Sequence, residues 1–424
     1  MIKNNKLISL VFLLAEAFVL TSAFTVLSWP AQAEITVQFS PRGGVADTIE
    51  ERLTSARKTV DVAMYSFSDR RLQEKLIGLA AAGVKIRLIL DSARDRAPLA
   101  DRFEASGIDV RYVLPVMHHK FAVIDFAGEG AAPILLTGSA NWSTKSDTEY
   151  DEDFLVVENE SDILRAFQAE FDHLWLYARD FEGPAIADDR TPTPPAQSTK
   201  HLFTSANFEA YHRAGNWSFR PMVEPQDGVA GRAIVEAIEG ASTSIKIATT
   251  HFRRPDITAA LIRAMNERGV KVTVITDQQE FRGGRIPEDD SNALYEEEKL
   301  AREGASVLYK TYMINWRAPQ ARQMHSKYVI VDDALVLSGS FNWSKNSEIG
   351  SFENLSIWTE ASLVAAYVAN FEIIRTYDGD GGLATLLAEI AGQEGRGPCL
   401  FTPISLTIAQ LEDLRRAFRP GSCR

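Results

Sequence analysis

The 424-residue chain has only two cysteines, Cys399 and Cys423, both near its C-terminus. So few exclude a cysteine-rich scaffold, and their spacing fits no zinc site. In an exported protein they are expected to close the tail with a disulfide, and they carry no catalysis in this reading. Positive charge is also short: 45 Lys and Arg against 57 Asp and Glu leave a net charge of -12. An acidic body argues against bulk attraction to nucleic acid or anionic lipid, although a phosphate pocket needs only a few placed cations. A continuous basic and aromatic track for a single strand is missing; His251-Phe252-Arg253-Arg254 is suggestive but short. Beyond Trp29 no apolar run is long enough to span a membrane.

The N-terminus reads as an export signal. Lys3 and Lys6 precede an apolar stretch from Leu7 to Trp29, and Ala31-Gln32-Ala33 gives a small-residue cleavage site, so that Glu34 begins the mature protein. An uncleaved anchor is the alternative. Either way the folded part is expected outside the cytoplasm, periplasmic or secreted.

What the remaining chain has is a repeat. Thr59-Val60-Asp61-Val62-Ala63-Met64 and Ser244-Ile245-Lys246-Ile247-Ala248-Thr249 are β-prone runs. Each precedes a helical pattern, with Leu72, Leu76 and Leu79 on one face in the first half and Ile257, Leu261 and Met265 in the second. The helices are expected to stop at Gly83 and Gly269. A buried-type strand ending in an acid follows each, Val84 to Asp91 and Val270 to Asp277. Strand, helix, strand in this order predicts an α/β fold with a right-handed crossover and a mostly parallel sheet in each half. Both halves close with a helix, marked by Phe167 and Phe171 in one and Tyr367 and Phe371 in the other.

Between these elements each half carries a second repeated block. The first has Met117-His118-His119-Lys120-Phe121-Ala122-Val123-Ile124-Asp125, then Gly138-Ser139-Ala140-Asn141-Trp142-Ser143, then Asp151-Glu152-Asp153 before an apolar strand. The second has Met324-His325-Ser326-Lys327-Tyr328-Val329-Ile330-Val331-Asp332, then Gly339-Ser340-Phe341-Asn342-Trp343-Ser344, then Phe352-Glu353-Asn354. A strand alternates its side chains, so His118 with Lys120, and His325 with Lys327, are expected on one face, roughly 6.5–7 Å apart, close enough to hold one phosphate. His119 and Ser326 then point the other way. One His-x-Lys has little weight; the recurrence of all three pieces in order makes coincidence improbable.

This pattern resembles the phospholipase D superfamily, whose signature is His-x-Lys-x4-Asp followed by Gly-Ser-x-x-Asn. The resemblance covers nearly all of residues 35–377, including Phe39-Ser40-Pro41 at the opening. Six residues separate Asp332 from Gly339, as the family spacing requires, whereas twelve separate Asp125 from Gly138; a glycine-rich turn absorbs the difference. The resemblance implies two similar lobes related by a pseudo-two-fold axis, each a mixed, mostly parallel sheet flanked by helices. It implies one site in which His118 attacks phosphorus to form a phosphohistidine while His325 acts as acid and then base. Lys120, Lys327, Asn141 and Asn342 would bind the non-bridging oxygens, Ser139 and Ser340 would add hydrogen bonds, and Glu152 and Glu353 would orient the imidazoles. Asp125 and Asp332 fall opposite His and Lys by alternation and are expected to bond nearby backbone. Trp142 and Trp343 are expected to pack beneath a loop.

The expected organisation is a signal peptide at 1–33, a first lobe at 34–183, an extended linker at 184–199 marked by Thr191-Pro192-Thr193-Pro194-Pro195, a second lobe at 200–377 and a tail at 378–424. In the tail, Thr407 with Gln410 reads as a capping box before a helix bearing Leu411, Leu414 and Phe418. No metal or other cofactor is expected, because a lysine beside each histidine repels a cation and no carboxylates gather at either motif. The acidic runs 288–290 and 296–298 read as solvated faces. The interval from Asp277 to His325 holds 47 residues against 26 between Asp91 and His118; its Phe281, Arg282, Arg285, Tyr309, Lys310, Tyr312, Met313 and Trp316 suggest a lid or substrate wall. The expected partner is a phosphodiester, first a phospholipid met by peripheral contact with a membrane, with both half-sites in one monomeric chain. A metal-independent nuclease, a phosphatidyl transferase of cardiolipin synthase type and an inactive binding module are the alternatives.

Overall fold

A computed structural model describes residues 34–91, 98–126, 132–181, 198–213, 215–281, 296–313, 322–375, 384, 386–388 and 400–417. The export signal, the proline-rich linker, the glycine-rich turn after Phe126, both cysteines and Phe418 lie outside these residues, as do Arg282, Arg285, Trp316 and the acidic run 288–290.

Two eight-stranded sheets organise the chain. The first contains β1 (Glu34–Ser40), β2 (Thr59–Met64), β3 (Lys85–Asp91), β4 (Asp109–Val113), β5 (Lys120–Ile124), β6 (Ile134–Gly138), β7 (Glu152–Glu158) and β8 (Arg179–Asp180). The second contains β9 (His201–Phe203), β10 (Ser244–Thr249), β11 (Lys271–Asp277), β12 (Ser306–Met313), β13 (Lys327–Val331), β14 (Leu335–Gly339), β15 (Asn354–Trp358) and β16 (Leu400–Thr407). The orders are β1-β7-β6-β5-β2-β3-β4-β8 and β9-β15-β14-β13-β10-β11-β12-β16, one topology used twice.

The sheets are mixed. Parallel pairing is confined to β2–β3–β4 and β10–β11–β12, where the chain crosses over to re-enter in the same direction. The expectation of mostly parallel sheets fails for the rest. β5, β6 and β7 pair antiparallel, as do β13, β14 and β15. A sequence pattern of buried strands does not distinguish these cases, because a central strand is apolar on both faces in either arrangement.

Strand alternation builds three cores. Phe121 and Val123 of β5, with Tyr328 and Ile330 of β13, enter one cluster shared by both lobes. Ala122 and Ile124 turn to an outer core beneath helices Val45–Thr54 and Arg70–Ala81; Val329 and Val331 turn to the matching core beneath Val229–Gly240 and Pro255–Arg268. The helices Ser161–Tyr177 and Ala361–Arg375 fill the shared centre, with Phe167, Phe171, Leu174, Tyr367 and Phe371 all buried there. This clasps the two sheets back to back and fixes where their strand ends meet.

The segment read as a tail supplies β16, which pairs antiparallel with β12 at the edge of the second sheet. Its following helix begins with reciprocal bonds: the Thr407 N–H donates to Gln410 Oε1 (2.9 Å) and the Gln410 N–H to Thr407 Oγ1 (3.3 Å), and Leu411 and Leu414 bury.

Candidate active site

The site starts at the strand ends. Asp91 closes β3 and Asp277 closes β11, and each carboxylate accepts the N–H of the methionine that opens the motif: Met117 at 3.2 Å and Met324 at 2.8 Å. Met117 then pairs, parallel, with Phe352 of the other lobe, and Met324 bridges to Asp151 in the same way. The next backbone N–H, that of His118 or His325, donates to the carbonyl of Phe352 (3.0 Å) or Asp151 (2.8 Å). Each histidine is therefore pinned by its backbone to the residue that precedes the opposite lobe's glutamate.

The side chains repeat that crossing. His118 Nδ1 meets Glu353 Oε2 at 2.7 Å and His325 Nδ1 meets Glu152 Oε2 at 2.8 Å. Neither dyad exists within one lobe. Glu353 also accepts from Ser340 Oγ (2.6 Å) and Ser351 Oγ (3.0 Å), and Glu152 from Ser146 Oγ (2.9 Å). With Nδ1 engaged, Nε2 is the nitrogen left to each imidazole for chemistry.

The two histidines precede the strands rather than lying in them: β5 begins at Lys120 and β13 at Lys327. The lysines turn back on the histidines, Lys120 Nζ donating to the His118 carbonyl at 2.6 Å and Lys327 Nζ to the His325 carbonyl and to Thr250 Oγ1 at 3.3 Å. Both ammoniums are buried, and Lys120 lies 4.9 Å from the Tyr65 ring centroid. Burial pushes Lys120 down to about 7 and Lys327 down to about 8. Burial likewise pushes Glu152 up to about 8 and Glu353 up to about 7, the lysines opposing it. Burial and then the two lysines hold both imidazoles well below the ordinary histidine range, which favours neutral rings able to attack or accept a proton. The carboxylates around the lysines, Glu152 and Glu353 for both, with Asp91 for Lys120 and Asp153 for Lys327, oppose this burial without offsetting it.

Asn141 and Asn342 are half-buried, and the Oδ1 atom of each is buried with no hydrogen-bond partner. A matched pair of orphaned amide oxygens marks polar groups arranged for something that enters the site. Turning either amide over changes its shape little and offers two N–H donors to an anion.

Ser139 and Ser340 do not line this pocket. Both are fully buried, and their hydroxyls accept the N–H of Asp153 (2.9 Å) and Asn354 (3.0 Å). This corrects their assignment as phosphate ligands: the hydroxyls brace the strand that carries each glutamate. The glycines before them are required by contact, since a Cβ on Gly138 would sit 2.3 Å from the Asp153 carbonyl oxygen and one on Gly339 2.4 Å from that of Asn354.

Asp125 accepts the N–H groups of Arg57, Lys58 and Thr59 at 2.6–3.0 Å. Asp332 accepts those of Ser242, Thr243 and Ser244 at 2.8–2.9 Å. Each thus ties the end of a motif strand to the turn that starts β2 or β10. Trp142 and Trp343 are buried edge-on against Phe67 and Phe252, with centroids 5.1 and 5.3 Å apart.

The residues beyond Asp277 differ most from expectation. Tyr309, Lys310 and Tyr312 are buried within β12 and form no open wall. Lys310 Nζ lies 3.2 Å from Asp151 Oδ2, and the Tyr312 hydroxyl bonds the same oxygen, so they hold the residue whose carbonyl receives His325. Glu296 and Glu297 are buried as well, contrary to a solvated face; Leu300 of their helix packs into the second-lobe core and draws that turn inward. Sequence reasoning also missed His119, which is fully buried between Glu170 (3.1 Å) and Asn354 (3.2 Å) and links the lobes behind the site.

The chain matches the family model described as "Cardiolipin synthase, PLD-like domain" twice, over residues 49–175 and 234–375. It is 32% identical over 127 residues to a mitochondrial cardiolipin hydrolase of Chlamydomonas reinhardtii, covering 29% of this chain and 54% of that protein. It is 23% identical over 134 residues to a phospholipase D of Rickettsia conorii, covering 31% of this chain and 64% of that one. It therefore spans about half to two thirds of the length of these curated relatives. Among solved structures, a phosphatidylserine synthase of Haemophilus influenzae superposes with a TM-score of 0.53 at 16% identity over 81% of this chain and 86% of that one, a likeness of fold. Two matches to one domain model, spread over most of the described chain, show that the chain belongs to the phospholipase D superfamily.

Proposed function

We propose that the protein is a phosphodiesterase that hydrolyses phospholipids in the manner of a phospholipase D through a phosphohistidine intermediate. The observation that carries this reading is the pair of crossed dyads, His118–Glu353 and His325–Glu152. A backbone bond from the opposite lobe backs each histidine, so two imidazoles from two lobes are fixed at one interface. In the first step His118 Nε2 attacks phosphorus, the bond to the leaving alcohol breaks, and His325, brought to its imidazolium form by the bound phosphate anion and Glu152, gives its Nε2 proton to that oxygen and becomes neutral. Glu353 then takes up the Nδ1–H charge on His118. In the second step neutral His325 removes a proton from water, the oxygen attacks phosphorus, and His118 is released. Lys120, Lys327, Asn141 and Asn342 bear the charge on the non-bridging oxygens. The names of the relatives matched, cardiolipin hydrolase and phospholipase D, support a lipid substrate.

The test incubates purified protein in EDTA with phosphatidylcholine, phosphatidylglycerol, cardiolipin and single-stranded DNA. Released headgroup or phosphatidic acid, abolished in His118→Ala, is the expected result. Shortened DNA with intact lipid would replace this reading with a nuclease.

A further inference from the structure

The two halves of the site match in His, Lys, Asn, Ser and Glu, but not in what flanks each histidine. Register gives the correspondence: Met64 of β2 pairs with Lys120, and Thr249 of β10 pairs with Lys327. Phe67 bridges Trp142 as Phe252 pairs with Trp343. Tyr65 and Ser66 therefore occupy the places that Thr250 and His251 hold in the second lobe.

This exchange changes the chemistry of the two sides. The Tyr65 ring packs on His118 with centroids 4.4 Å apart, an aromatic wall. On the other side the small Thr250 accepts from Lys327, and the next residue is a third imidazole. His251 Nδ1 meets Glu280 Oε1 at 2.7 Å, the geometry of the two catalytic dyads, which leaves Nε2 for a ligand. Glu280 is buried and also grips Arg253 through bonds of 3.0 and 2.7 Å. These bonds outweigh burial and keep its carboxyl down at about 2, hence ionised. The His251 ring is about one-third exposed (34%), unlike His118 and His325 at 11% and 12%. It lies near enough to His325 to contribute, after burial and the two lysines, to the depression of that imidazole's pKa.

We propose that His251, held by Glu280, is a specificity-determining residue that hydrogen-bonds the leaving alcohol on the His325 side of the phosphorus. This rests on the phosphodiesterase reading above, in which His325 protonates that alcohol. An imidazole whose Nε2 can donate or accept suits an alcohol that carries further hydroxyls, as a glycerol headgroup does. It gives nothing to a quaternary ammonium, which has no hydrogen to donate and no lone pair to accept. The site therefore favours glycerol-type over choline-type headgroups.

The experiment compares kcat/KM on phosphatidylglycerol and phosphatidylcholine in mixed micelles for the wild type, His251→Asn and His251→Gln. Asparagine keeps a polar group near Glu280 but not at the Nε2 position; glutamine restores one there. The ratio of glycerol to choline turnover should fall about tenfold in His251→Asn, as loss of one hydrogen bond implies, and should recover to within about threefold in His251→Gln. An equal loss on both lipids, or no change in the ratio, would overturn the proposal. A wild type inactive on every phosphodiester would instead remove the functional reading beneath it. If His251→Asn fails to melt cooperatively, His251→Leu takes its place beside His251→Gln: a ratio lowered about tenfold in leucine but not in glutamine supports the proposal, and an unchanged ratio in leucine overturns it.

Discussion

Anion binding to this site should be strongly pH-dependent. In the empty pocket burial holds Lys120 at about 7 and Lys327 at about 8. A dianion bound between them favours their charged forms, so binding takes up protons wherever either lysine is neutral. Glu353 at about 7 and Glu152 at about 8 respond in the same direction, because a nearby anion also favours their protonated state. Sulfate is the useful probe, since its own charge is constant across this interval. If both ammoniums must be charged in the complex, the affinity falls by about a thousandfold between pH 6 and pH 9, nearly all of it above pH 7. With Lys120→Met, Lys327 is the one ammonium of the pair left to titrate, and the lysine contribution to the fall should shrink to about tenfold. Calorimetric titration in two buffers of different ionisation enthalpy measures both affinity and proton uptake. An affinity that is flat or rises over this range, or binding that releases protons, would refute the account of the pocket as one with depressed lysines.

The remaining predictions concern roles. His118→Ala and His325→Ala should each lower phosphodiester turnover by at least about a thousandfold; substantial turnover by either would contradict a shared site. Glu353→Gln and Glu152→Gln should each lower kcat by about a hundredfold with folding intact by circular dichroism, because charge support for the opposite lobe's imidazole is lost; losses under about threefold would refute the crossed dyads. Gly138→Ala places a Cβ 2.3 Å from the Asp153 carbonyl oxygen and should cost about 1–3 kcal/mol or more by denaturant titration. An unchanged midpoint would show that the β6–β7 contact is looser than described.

Much of the fold was legible because it is written twice. The alternation through Lys120–Ile124 and Lys327–Val331, and the acid-ended strands at Asp91 and Asp277, recur with their neighbours in order. Strand direction beyond the crossovers was not legible, since Leu135, Val157, Leu337 and Leu355 are buried whichever way their strands run. The buried positions of Lys310 and Glu297 were hidden too, because charge in a sequence predicts exposure and only a partner or a packed helix overrides it.

The sequence by itself determined which groups are the candidates for chemistry: His, Lys, Asn and Glu are specified by local strands and turns, and a repeat fixes their number. Only the tertiary structure decided which group serves which. Glu353 lies 235 residues from His118, and no local rule pairs them; two sheets clasped over shared helices bring each lobe's glutamate to the other's histidine. The same packing turned Ser139 and Ser340 inward and placed His251 near enough to His325 to lower its pKa, because side-chain partners follow from which surfaces are buried against each other, a property of the whole chain.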